Sequence, residues 1–449
     1  MTLNSKKTVL FLGDAIILFF SLYLTLIIRY GANFTPAIWQ IHRLPFIFLY
    51  IFWLIIFYIN NLYSLTVAKV SFYFYQKLAF TLIICGVFSV AFFYLIPQIS
   101  IAPKTTLFLN LIIIAILFSI WRNLFNLLIK STAKNNIIIL GYSEIAYNLA
   151  KKLNNNPQLG YKILAFAGCI QKDLENIKII NKEDNLQNFI KHNNISIIII
   201  NSDADGMFMD VFLNFLPLGI NFISFTDFYE NLFAKIPVSE IKQNWFLENL
   251  TEGSKETYDT LKKMLDIITA IVIGIISLPF TPFISIAIKI NTKGPIFFKQ
   301  LRTGKNGKNF IAIKFRSMID NAENGSAKWS PENDPRITAV GKFLRKTRLD
   351  EIPQILNVLK GEMSLVGPRP ERPEFIKILE KEIPFYCQRL LVKPGLTGWA
   401  QVNFPYGASK EGSMQKLQYD LYYIKHRSLS LDIKILLKTF AIVFGFKGR

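Results

Sequence analysis

Long uncharged stretches at the start of the chain predict a membrane region. About 20 consecutive apolar residues span the hydrocarbon core of a bilayer, so four such stretches predict four transmembrane helices within residues 1–130. Only the first stretch contains a charge, Asp14, which is interpreted as an interfacial side chain, with a functional intramembrane carboxylate as the alternative. The four stretches are residues 8–28, 44–68, 78–103 and 105–121.

Lysine and arginine residues are distributed unevenly around these stretches. Cytoplasmic loops of membrane proteins are enriched in both, so the richer side, which includes the N-terminus, is predicted to be cytoplasmic. The chain after residue 130 is expected to start on that side. The cytoplasmic set has seven members: Lys6, Lys7, Lys69, Lys77, Arg122, Lys130 and Lys134. The opposite set has three: Arg29, Arg43 and Lys104.

Residues 135–250 alternate between short apolar runs and amphipathic stretches. This alternation predicts a Rossmann-like α/β domain with a parallel sheet and right-handed crossovers. The predicted strands are Ile137–Leu140, Ile163–Ala167, Ile195–Ile200 and Ile220–Ser224. The predicted helices between them include Ser143–Leu153, Asp184–His192 and Met207–Phe215.

The turn after the first predicted strand carries one glycine, Gly141, where a dinucleotide-binding turn has three. Glu144 places a negative charge at the start of the following helix, where it satisfies the helix dipole in place of a phosphate. The sheet is therefore interpreted as structural or regulatory, and no need for NAD is predicted. A Y-x-x-x-K pattern at Tyr258 and Lys262, the pair used by nucleotide-sugar dehydratases, is interpreted as a chance match.

A fifth apolar stretch, Ile267–Ile288, contains two prolines, Pro279 and Pro282. Proline removes a helical hydrogen bond and bends the axis, which disfavours a straight crossing. The stretch is predicted to form a re-entrant helix-break-helix that enters and leaves on the cytoplasmic side. A kinked transmembrane helix is the alternative.

The composition indicates that part of the chain is buried in lipid and that the rest is basic. Of the 449 residues, 51% are hydrophobic and 18% are charged, whereas soluble domains have roughly a quarter charged residues. Residues 261–449 carry 31 basic and 15 acidic side chains, which accounts for most of the formal net charge of +20. The charge predicts an anionic partner for this half: phosphates, lipid headgroups or nucleic acid. Three cysteines and three histidines argue against a disulfide framework and a cysteine- or histidine-rich metal centre.

Two adjacent carboxylates, Asp350 and Glu351, open a predicted helix that Gly361 ends. Asp350 is either the N-cap of that helix or a carboxylate that cations keep ionised for attack on phosphorus or for binding Mg²⁺. The nearby cations favour the second interpretation, because phosphoryl transfer depends on positive charge around the phosphate oxygens. These cations are Lys314, Arg345 and Arg369.

Nucleic acid is not an expected partner of the basic half. Its cations are interleaved with Gly-Pro turns and adjoin the predicted membrane hairpin, and no nucleic-acid-binding module is found.

Seven stretches of the C-terminal half carry a family resemblance: Lys262–Asp266, Gly294–Gln300, Lys314–Met318, Asp334–Thr338, Leu349–Gln354, Met363–Pro370 and Lys393–Asn403. In order and spacing, residues 258–449 resemble the bacterial sugar transferases that move a hexose-1-phosphate onto a polyprenyl phosphate, the monotopic phosphoglycosyl transferases. The whole chain resembles the long form of that family, which includes undecaprenyl-phosphate glucose and galactose phosphotransferases.

The resemblance implies an α+β catalytic domain that uses a UDP-sugar, undecaprenyl phosphate and Mg²⁺ at the cytoplasmic face of the bacterial inner membrane. It implies that Asp350 is the nucleophile, which forms a covalent phosphosugar intermediate and releases UMP. It also implies that Glu351 assists in metal binding or proton handling, so that the pair holds Mg²⁺. Pro279 matches the helix-breaking proline of the family. Substrate contacts are expected from Lys314, Arg316, Arg345, Arg369 and Asp420.

Two positions depart from the family pattern. Lys263 stands where an arginine is usual, which keeps the charge but loses bidentate pairing. Arg348 stands where a small residue commonly precedes Leu-Asp-Glu, which adds positive charge near the nucleophile.

A bilayer-bound homo-oligomer, such as a dimer, is expected. The alternative functions are a membrane-bound NAD-dependent nucleotide-sugar dehydratase or epimerase and a non-enzymatic membrane scaffold.

Overall fold

The computed structural model divides the chain into two compact units, Met1–Ser224 and Phe225–Arg449. The first unit holds the N-terminal apolar helices and the α/β region, and the second holds the carboxylate pair. The predicted helix Met207–Phe215 lies outside the described residues. The structure describes residues 3–64, 71–96, 104–131, 135–168, 177–180, 183–201, 219–250, 255–319, 334–404 and 409–444.

Four long apolar helices occur in the described part of the first unit: α1 Leu3–Tyr30, α2 Pro36–Ile59, α3 Phe72–Leu95 and α4 Lys104–Ser131. Ser71 caps α3, since its side-chain oxygen accepts from the Phe74 N–H at 3.3 Å. With one further segment in the second unit, five of the described helices are long and apolar enough to cross a membrane. The chain is a multi-pass membrane protein, as the sequence predicts.

Asp14 is buried between helices of the bundle, and its depth in a membrane stays a prediction. Arg122 Nη2 on α4 donates to Asp14 Oδ2 on α1 at 2.8 Å, and both side chains are 0% exposed. A buried charge is tolerated when a partner of opposite sign compensates it. Arg122 is thus neutralised within the bundle. The predicted cytoplasmic set keeps six members against three and still favours a cytoplasmic N-terminus.

A parallel sheet forms most of the described α/β region, with strand order β3-β2-β1-β4-β5. The strands are β1 Asn135–Leu140, β2 Tyr161–Ala167, β3 Lys178–Ile180, β4 Ile195–Ile200 and β5 Asn221–Ser224. Helices α5 Glu144–Asn154 and α6 Glu183–His192 connect them. The predicted Rossmann-like α/β region is confirmed. Only β3 was not predicted, because three residues are too few to show a periodic pattern.

A side chain of the protein itself caps the start of α5. Ser143 Oγ accepts from the Ala146 N–H at 3.2 Å, and Glu144 is the first helical residue. Gly141 takes the left-handed backbone conformation at φ 76° that the turn after β1 requires. These contacts agree with the interpretation of the turn as structural.

The start of α1 contacts the α/β region. Lys6 Nζ donates to the Leu159 carbonyl oxygen at 3.3 Å, and the Lys6 side chain is buried. The cytoplasmic end predicted for α1 and the α/β region therefore lie on the same side of any membrane that α1 crosses.

The second unit begins with α7 Phe225–Phe233 and α8 Gln243–Asn249, a segment grouped from its sequence with the Rossmann-like region. The Ile236 N–H donates to the Gln418 carbonyl oxygen at 3.0 Å, and Trp399 Nε1 donates to the Ala234 carbonyl oxygen at 2.8 Å. Residues 225–250 therefore pack with the catalytic region.

An α+β fold makes up the rest of the second unit. Its core is apolar and includes Ile355, Val358, Met363, Leu365, Leu417 and Leu421. The helices are α9 Glu256–Ser277, α10 Thr281–Asn291, α11 Ala339–Lys346, α12 Ile355–Leu359, α13 Pro373–Glu382, α14 Trp399–Asn403, α15 Lys410–His426 and α16 Leu429–Phe444. The strands are β6 Phe297–Thr303, β7 Asn309–Phe315, β8 Ser364–Val366 and β9 Gly395–Thr397.

A 3₁₀ turn, Leu278–Phe280, separates α9 from α10 and contains Pro279. Proline has no N–H to donate, so the α-helical hydrogen-bond pattern is interrupted there, as the sequence predicts. The side chains around the break are apolar and exposed: Leu278, Phe280, Phe283 and Ile286. A cluster of exposed apolar side chains close together in the chain indicates a contact with lipid or protein.

Candidate active site

Lys314 reaches the site from the β-hairpin formed by β6 and β7. Gly307 adopts φ 76° in the turn between these strands, in the backbone region that favours glycine. Alternate residues of a strand share a face, so Lys314 follows the buried side chains of Phe310 and Ala312. The two strands pair antiparallel, and β7 carries the Lys314 ammonium on its core-facing side.

Asp350 and Glu351 lie in a 3₁₀ helix, Leu349–Gln354, that precedes α12. The Glu351 N–H donates to the Arg348 carbonyl oxygen at 3.2 Å. Arg348 occupies the N-cap position at φ 59°, a left-handed conformation that non-glycine residues seldom adopt. Asp350 is therefore not the N-cap, and that interpretation is wrong. Gly361, at φ 77°, ends the helical segment as predicted.

Glu351 is buried and binds three cations. Lys314 Nζ donates to Glu351 Oε1 at 2.7 Å. Arg369 Nη2 donates to the same oxygen at 2.9 Å, and Arg348 Nη1 donates to Oε2 at 3.5 Å. Burial raises the pKa of this carboxyl, but Arg369, Lys314 and Arg348 outweigh that effect and hold the pKa well below its usual range. Glu351 is thus a fixed negative charge that keeps three cations together.

Asp350 differs from Glu351 in its hydrogen bonds and in the direction of its pKa shift. It is 7% exposed, and no described residue donates a hydrogen bond to its carboxylate. Burial raises the pKa of Asp350 to about 6, and the Glu351 charge adds to the rise. The cations Lys314, Arg345 and Arg369 oppose it. A partly desolvated carboxylate with open oxygens, next to cations, is suited to form a bond to phosphorus.

Arg369 follows β8 on a loop that is fixed to β9. The Gly367 N–H donates to the Thr397 carbonyl oxygen at 2.9 Å, and the Gly395 N–H donates to the Pro368 carbonyl oxygen at 2.9 Å. A Cβ on either glycine would overlap the backbone of the other segment. The loop therefore holds Arg369 in a defined position beside the carboxylates.

Arg345 completes the cation cluster, whereas Arg316 lies elsewhere. Arg345 Nε donates to Ser317 Oγ at 2.8 Å, and its charge lowers the pKa of Asp350. Arg316 Nη2 donates to the Thr292 carbonyl oxygen at 2.9 Å and to Thr292 Oγ1 at 2.7 Å. Arg316 therefore fixes the chain after α10 in this structure, and its substrate contact stays a prediction.

Asp420 also lies outside the cluster, where it supports Arg369 through Arg389. Arg389 donates to Asp420 Oδ2 from Nε at 3.1 Å and from Nη2 at 2.8 Å. Arg389 Nη2 also donates to the Arg369 carbonyl oxygen at 3.0 Å. Burial raises the pKa of Asp420, and Arg389 opposes the rise. A direct substrate contact of Asp420 stays a prediction. Arg389 was missed because nothing in its local sequence sets it apart from the other basic residues.

The donor set for a metal ion is small. Among the described residues, no group of three or more histidine, cysteine, aspartate or glutamate side chains could hold a metal ion. The oxygens of Asp350 are open, whereas Glu351 Oε1 already accepts two hydrogen bonds. Mg²⁺ in phosphoryl-transfer sites commonly takes one or two carboxylates together with substrate phosphates and water. The pair therefore fits an Mg²⁺ ion that shares its ligands with a diphosphate, and not a cage built from protein alone.

The second unit combines an exposed apolar helix pair with two carboxylates among four cations, an arrangement expected of a membrane-associated phosphoryl-transfer domain. The family model described as "Bacterial sugar transferase" matches residues 257–446. The chain is 31% identical over 363 residues to the undecaprenyl-phosphate galactose phosphotransferase of Salmonella typhimurium, covering 70% of this chain and 69% of that protein. The chain belongs to the bacterial sugar transferase family, which confirms the resemblance.

Two other relatives match a smaller share of the chain. Identity is 41% over 232 residues to the UDP-N-acetylgalactosamine-undecaprenyl-phosphate N-acetylgalactosaminephosphotransferase of Aeromonas hydrophila, with 48% of this chain and 54% of that protein covered. Identity is 44% over 205 residues to the UDP-glucose:undecaprenyl-phosphate glucose-1-phosphate transferase of Xanthomonas campestris pv. campestris, with 44% and 42% covered. The chain spans about half the length of these two relatives.

Proposed function

We propose that this protein transfers a sugar-1-phosphate from a UDP-sugar to undecaprenyl phosphate, with undecaprenyl-diphosphate-sugar and UMP as products. The observation that carries the proposal is an open carboxylate, Asp350, beside a second carboxylate, Glu351, that binds three cations. The names of the three relatives support it, since each describes a phosphotransferase or glucose-1-phosphate transferase that acts with undecaprenyl phosphate.

The proposed reaction has two displacements at one phosphorus atom. In the first, a carboxylate oxygen of Asp350 forms a bond to the sugar-bearing phosphorus of the UDP-sugar, the bond to the bridging diphosphate oxygen breaks, and UMP leaves. In the second, an oxygen of undecaprenyl phosphate attacks the same phosphorus, and the bond to Asp350 breaks. The sugar keeps its phosphate throughout, and the carboxylate is regenerated.

The cations have a defined part in this scheme. Lys314 and Arg369 share one oxygen of Glu351, so their charges lie side by side next to Asp350 and can bind the non-bridging oxygens of the diphosphate. Arg345 adds positive charge at Asp350 itself. Mg²⁺, held by the diphosphate and by Asp350 or Glu351, would neutralise charge on the departing UMP. Glu351 acts mainly by keeping the cations in place.

The α9–α10 segment is proposed to be re-entrant, because both of its ends contact one compact unit. Asp266 lies directly before the apolar part of α9, and its Oδ1 accepts from the Leu365 N–H at 3.2 Å. At the end of α10, Asn291 Oδ1 accepts from the Val340 N–H at 3.4 Å. A complete crossing would put these contacts on opposite sides of the membrane, which one folded unit cannot satisfy. This supports a hairpin with its break at Pro279. With the predicted cytoplasmic N-terminus and four crossings before it, the hairpin would keep the catalytic domain on the cytoplasmic face of the inner membrane.

The experiment that tests the reaction uses membranes that contain the protein, undecaprenyl phosphate and Mg²⁺. UDP-glucose, UDP-galactose and their N-acetylhexosamine counterparts are supplied in turn, and UMP and lipid-linked sugar are quantified. Equal amounts of UMP and lipid product are expected with at least one donor. A keto sugar without UMP would indicate a dehydratase instead, and no product with any donor would contradict the proposal.

The matched control for this assay replaces a carboxylate far from the proposed chemistry. Glu382 forms an exposed pair with Lys410 at 3.6 Å, so Glu382→Gln is expected to keep full activity. Asp350→Asn in the same assay is expected to lose it.

A further inference from the structure

One buried carboxylate, Asp432 in α16, binds both residues of the Y-x-x-x-K pattern. The Tyr258 hydroxyl donates to Asp432 Oδ2 at 2.9 Å, and Lys262 Nζ donates to the same oxygen at 2.9 Å. In a dehydratase, both groups would have to face a substrate and a cofactor. Here both groups bind Asp432 within the fold, and Lys262 also lies 3.8 Å from Asp266 Oδ1, so the pair serves another purpose.

The second oxygen of Asp432 contacts Tyr423 of α15. The Tyr423 hydroxyl lies 2.9 Å from Asp432 Oδ1 and 3.1 Å from the Val366 carbonyl oxygen. Burial raises the pKa of Tyr423 well above its usual value, and the Asp432 and Tyr258 groups add to the rise, so this phenol keeps its proton and can donate. The Tyr423 hydroxyl has one proton that can reach either acceptor, so this side chain lies between the carboxylate and the backbone of β8.

Strand β8 leads directly from this cluster to the active site. The Leu365 N–H donates to Asp266 Oδ1 of α9 at 3.2 Å. The next residue, Val366, is within hydrogen-bond reach of Tyr423. Leu365 is thus bound to α9 directly, and Val366 is connected to α9 through Tyr423 and Asp432. Three residues further on, Arg369 donates to Glu351 at 2.9 Å.

We propose that Asp432 is a positioning residue that links the seating of α9 in the membrane to the position of Arg369 at the carboxylate pair. The proposal rests on the proposed function, because it makes Arg369 the group through which Asp432 acts. Loss of the Asp432 carboxylate would remove the acceptor that Tyr258 and Lys262 share and one of the two acceptors within reach of Tyr423. A tilt or shift of α9 would move β8 through these contacts and would thereby change the position of Arg369.

A double-mutant cycle between Asp432 and Arg369 tests this link, with the rate of UMP release as the readout. Asp432→Ala is expected to lower kcat roughly 10- to 100-fold alone, but less than about 3-fold in the Arg369→Ala background, because nothing is then left to position. An equal fold loss in both backgrounds is the result of a purely structural role and would overturn the proposal.

The matched control is the exposed carboxylate next to Tyr258 on α9. Asp259 pairs with Arg427 at 3.4 Å, and no hydrogen bond joins Asp259 to Asp432 among the described residues. Asp259→Ala is expected to leave kcat unchanged in both backgrounds. If Asp432→Ala does not fold, Tyr423→Phe replaces it in the cycle, because it removes only the hydroxyl that lies between Asp432 and Val366.

Hydrogen–deuterium exchange tests the same link without any substrate. In Tyr423→Phe, amide exchange at residues 364–369 is expected to be several-fold faster than in the unmodified protein, with exchange at residues 349–359 unchanged. Unchanged exchange at residues 364–369 would overturn the link even if sugar-phosphate transfer is established. Faster exchange in a protein that releases no UMP would support the link and contradict the proposed function.

Discussion

Lys314 Nζ and Glu351 Oε1 lie 2.7 Å apart, although 37 residues separate them in the chain. The contact joins the end of a strand to the 3₁₀ turn that carries Asp350. Burial lowers the pKa of Lys314, and the Glu351 charge raises it again, so the carboxylate helps to keep this ammonium charged inside the fold. The two residues thus set a fixed positive charge beside the proposed nucleophile.

The pH dependence of turnover is the first prediction. Asp350 must be ionised to attack, and its pKa is about 6, so UMP release should rise with pH through about 6. In Glu351→Gln the anion that raises this pKa is gone, while Lys314, Arg345 and Arg369 remain. The acid limb of a kcat/KM profile should therefore move to lower pH, with lower activity throughout. A limb that stays in place or moves to higher pH would contradict the assignment.

Asp350→Asn should stabilise the protein while it abolishes activity. The raised pKa means that ionised Asp350 costs the folded state stability, on the order of 2–3 kcal/mol at neutral pH. The cost is complete above pH 6 and disappears as the pH falls below the ordinary value of 3.8. Thermal unfolding in detergent should therefore show a higher Tm for the variant at pH 7 and no difference near pH 4. An N-cap role would give little change at pH 7, because asparagine caps a helix about as well as aspartate does.

The buried pair of Asp420 and Arg389 should be sensitive to the loss of one partner. Both side chains are 2% exposed, so Asp420→Asn leaves an uncompensated guanidinium and is expected to cost about 3–5 kcal/mol. UMP release should also fall, because Arg389 holds the Arg369 carbonyl. Chemical denaturation measures the first effect. Glu382→Gln, at an exposed pair, should change stability by no more than about 0.5 kcal/mol.

Membrane topology gives a fourth prediction. In a background without Cys85, Cys169 and Cys387, Thr260→Cys and Lys299→Cys should both resist an impermeant maleimide added outside intact cells. Ala32→Cys, between α1 and α2, should react and serves as the positive control. Labelling at position 299 but not at 260 would show a complete crossing by α9 and α10.

The helix break itself can be tested in the same cells. Pro279→Ala restores an N–H donor at the break, so it should straighten the hairpin and impair activity by moving the active site away from the membrane surface. Unchanged activity and labelling in Pro279→Ala would show that the proline does not determine the path.

Local sequence pattern predicted the elements whose signal lies within the element. Long apolar stretches gave the membrane helices, and the alternation of apolar runs and amphipathic stretches gave the parallel sheet. The N-cap interpretation of Asp350 failed because the chain enters the segment through Arg348 in a left-handed conformation and then forms a 3₁₀ turn. Arginine seldom adopts the left-handed conformation, so the residue at position 348 gave no sign of this geometry in the sequence.

Long-range pairs were beyond the reach of local pattern. Asp14 and Arg122 are 108 residues apart, and only tertiary structure shows that they neutralise each other. Lys314 and Arg316 stand two positions apart with the same sign of charge, yet one binds Glu351 and the other binds Thr292. Which cation faces the substrate therefore depends on where neighbouring elements supply an acceptor, and this information lies far away in the chain.

The most direct test of the central claim is the release of UMP when no acceptor lipid is present. Purified protein is mixed with Mg²⁺ and a UDP-sugar that supports turnover, and UMP is quantified against active protein within the first turnover. If Asp350 forms a phosphosugar bond, a burst of about one UMP per active site is expected, and Asp350→Asn should show none. UMP that appears only after undecaprenyl phosphate is added, or a normal burst in Asp350→Asn, would contradict the account.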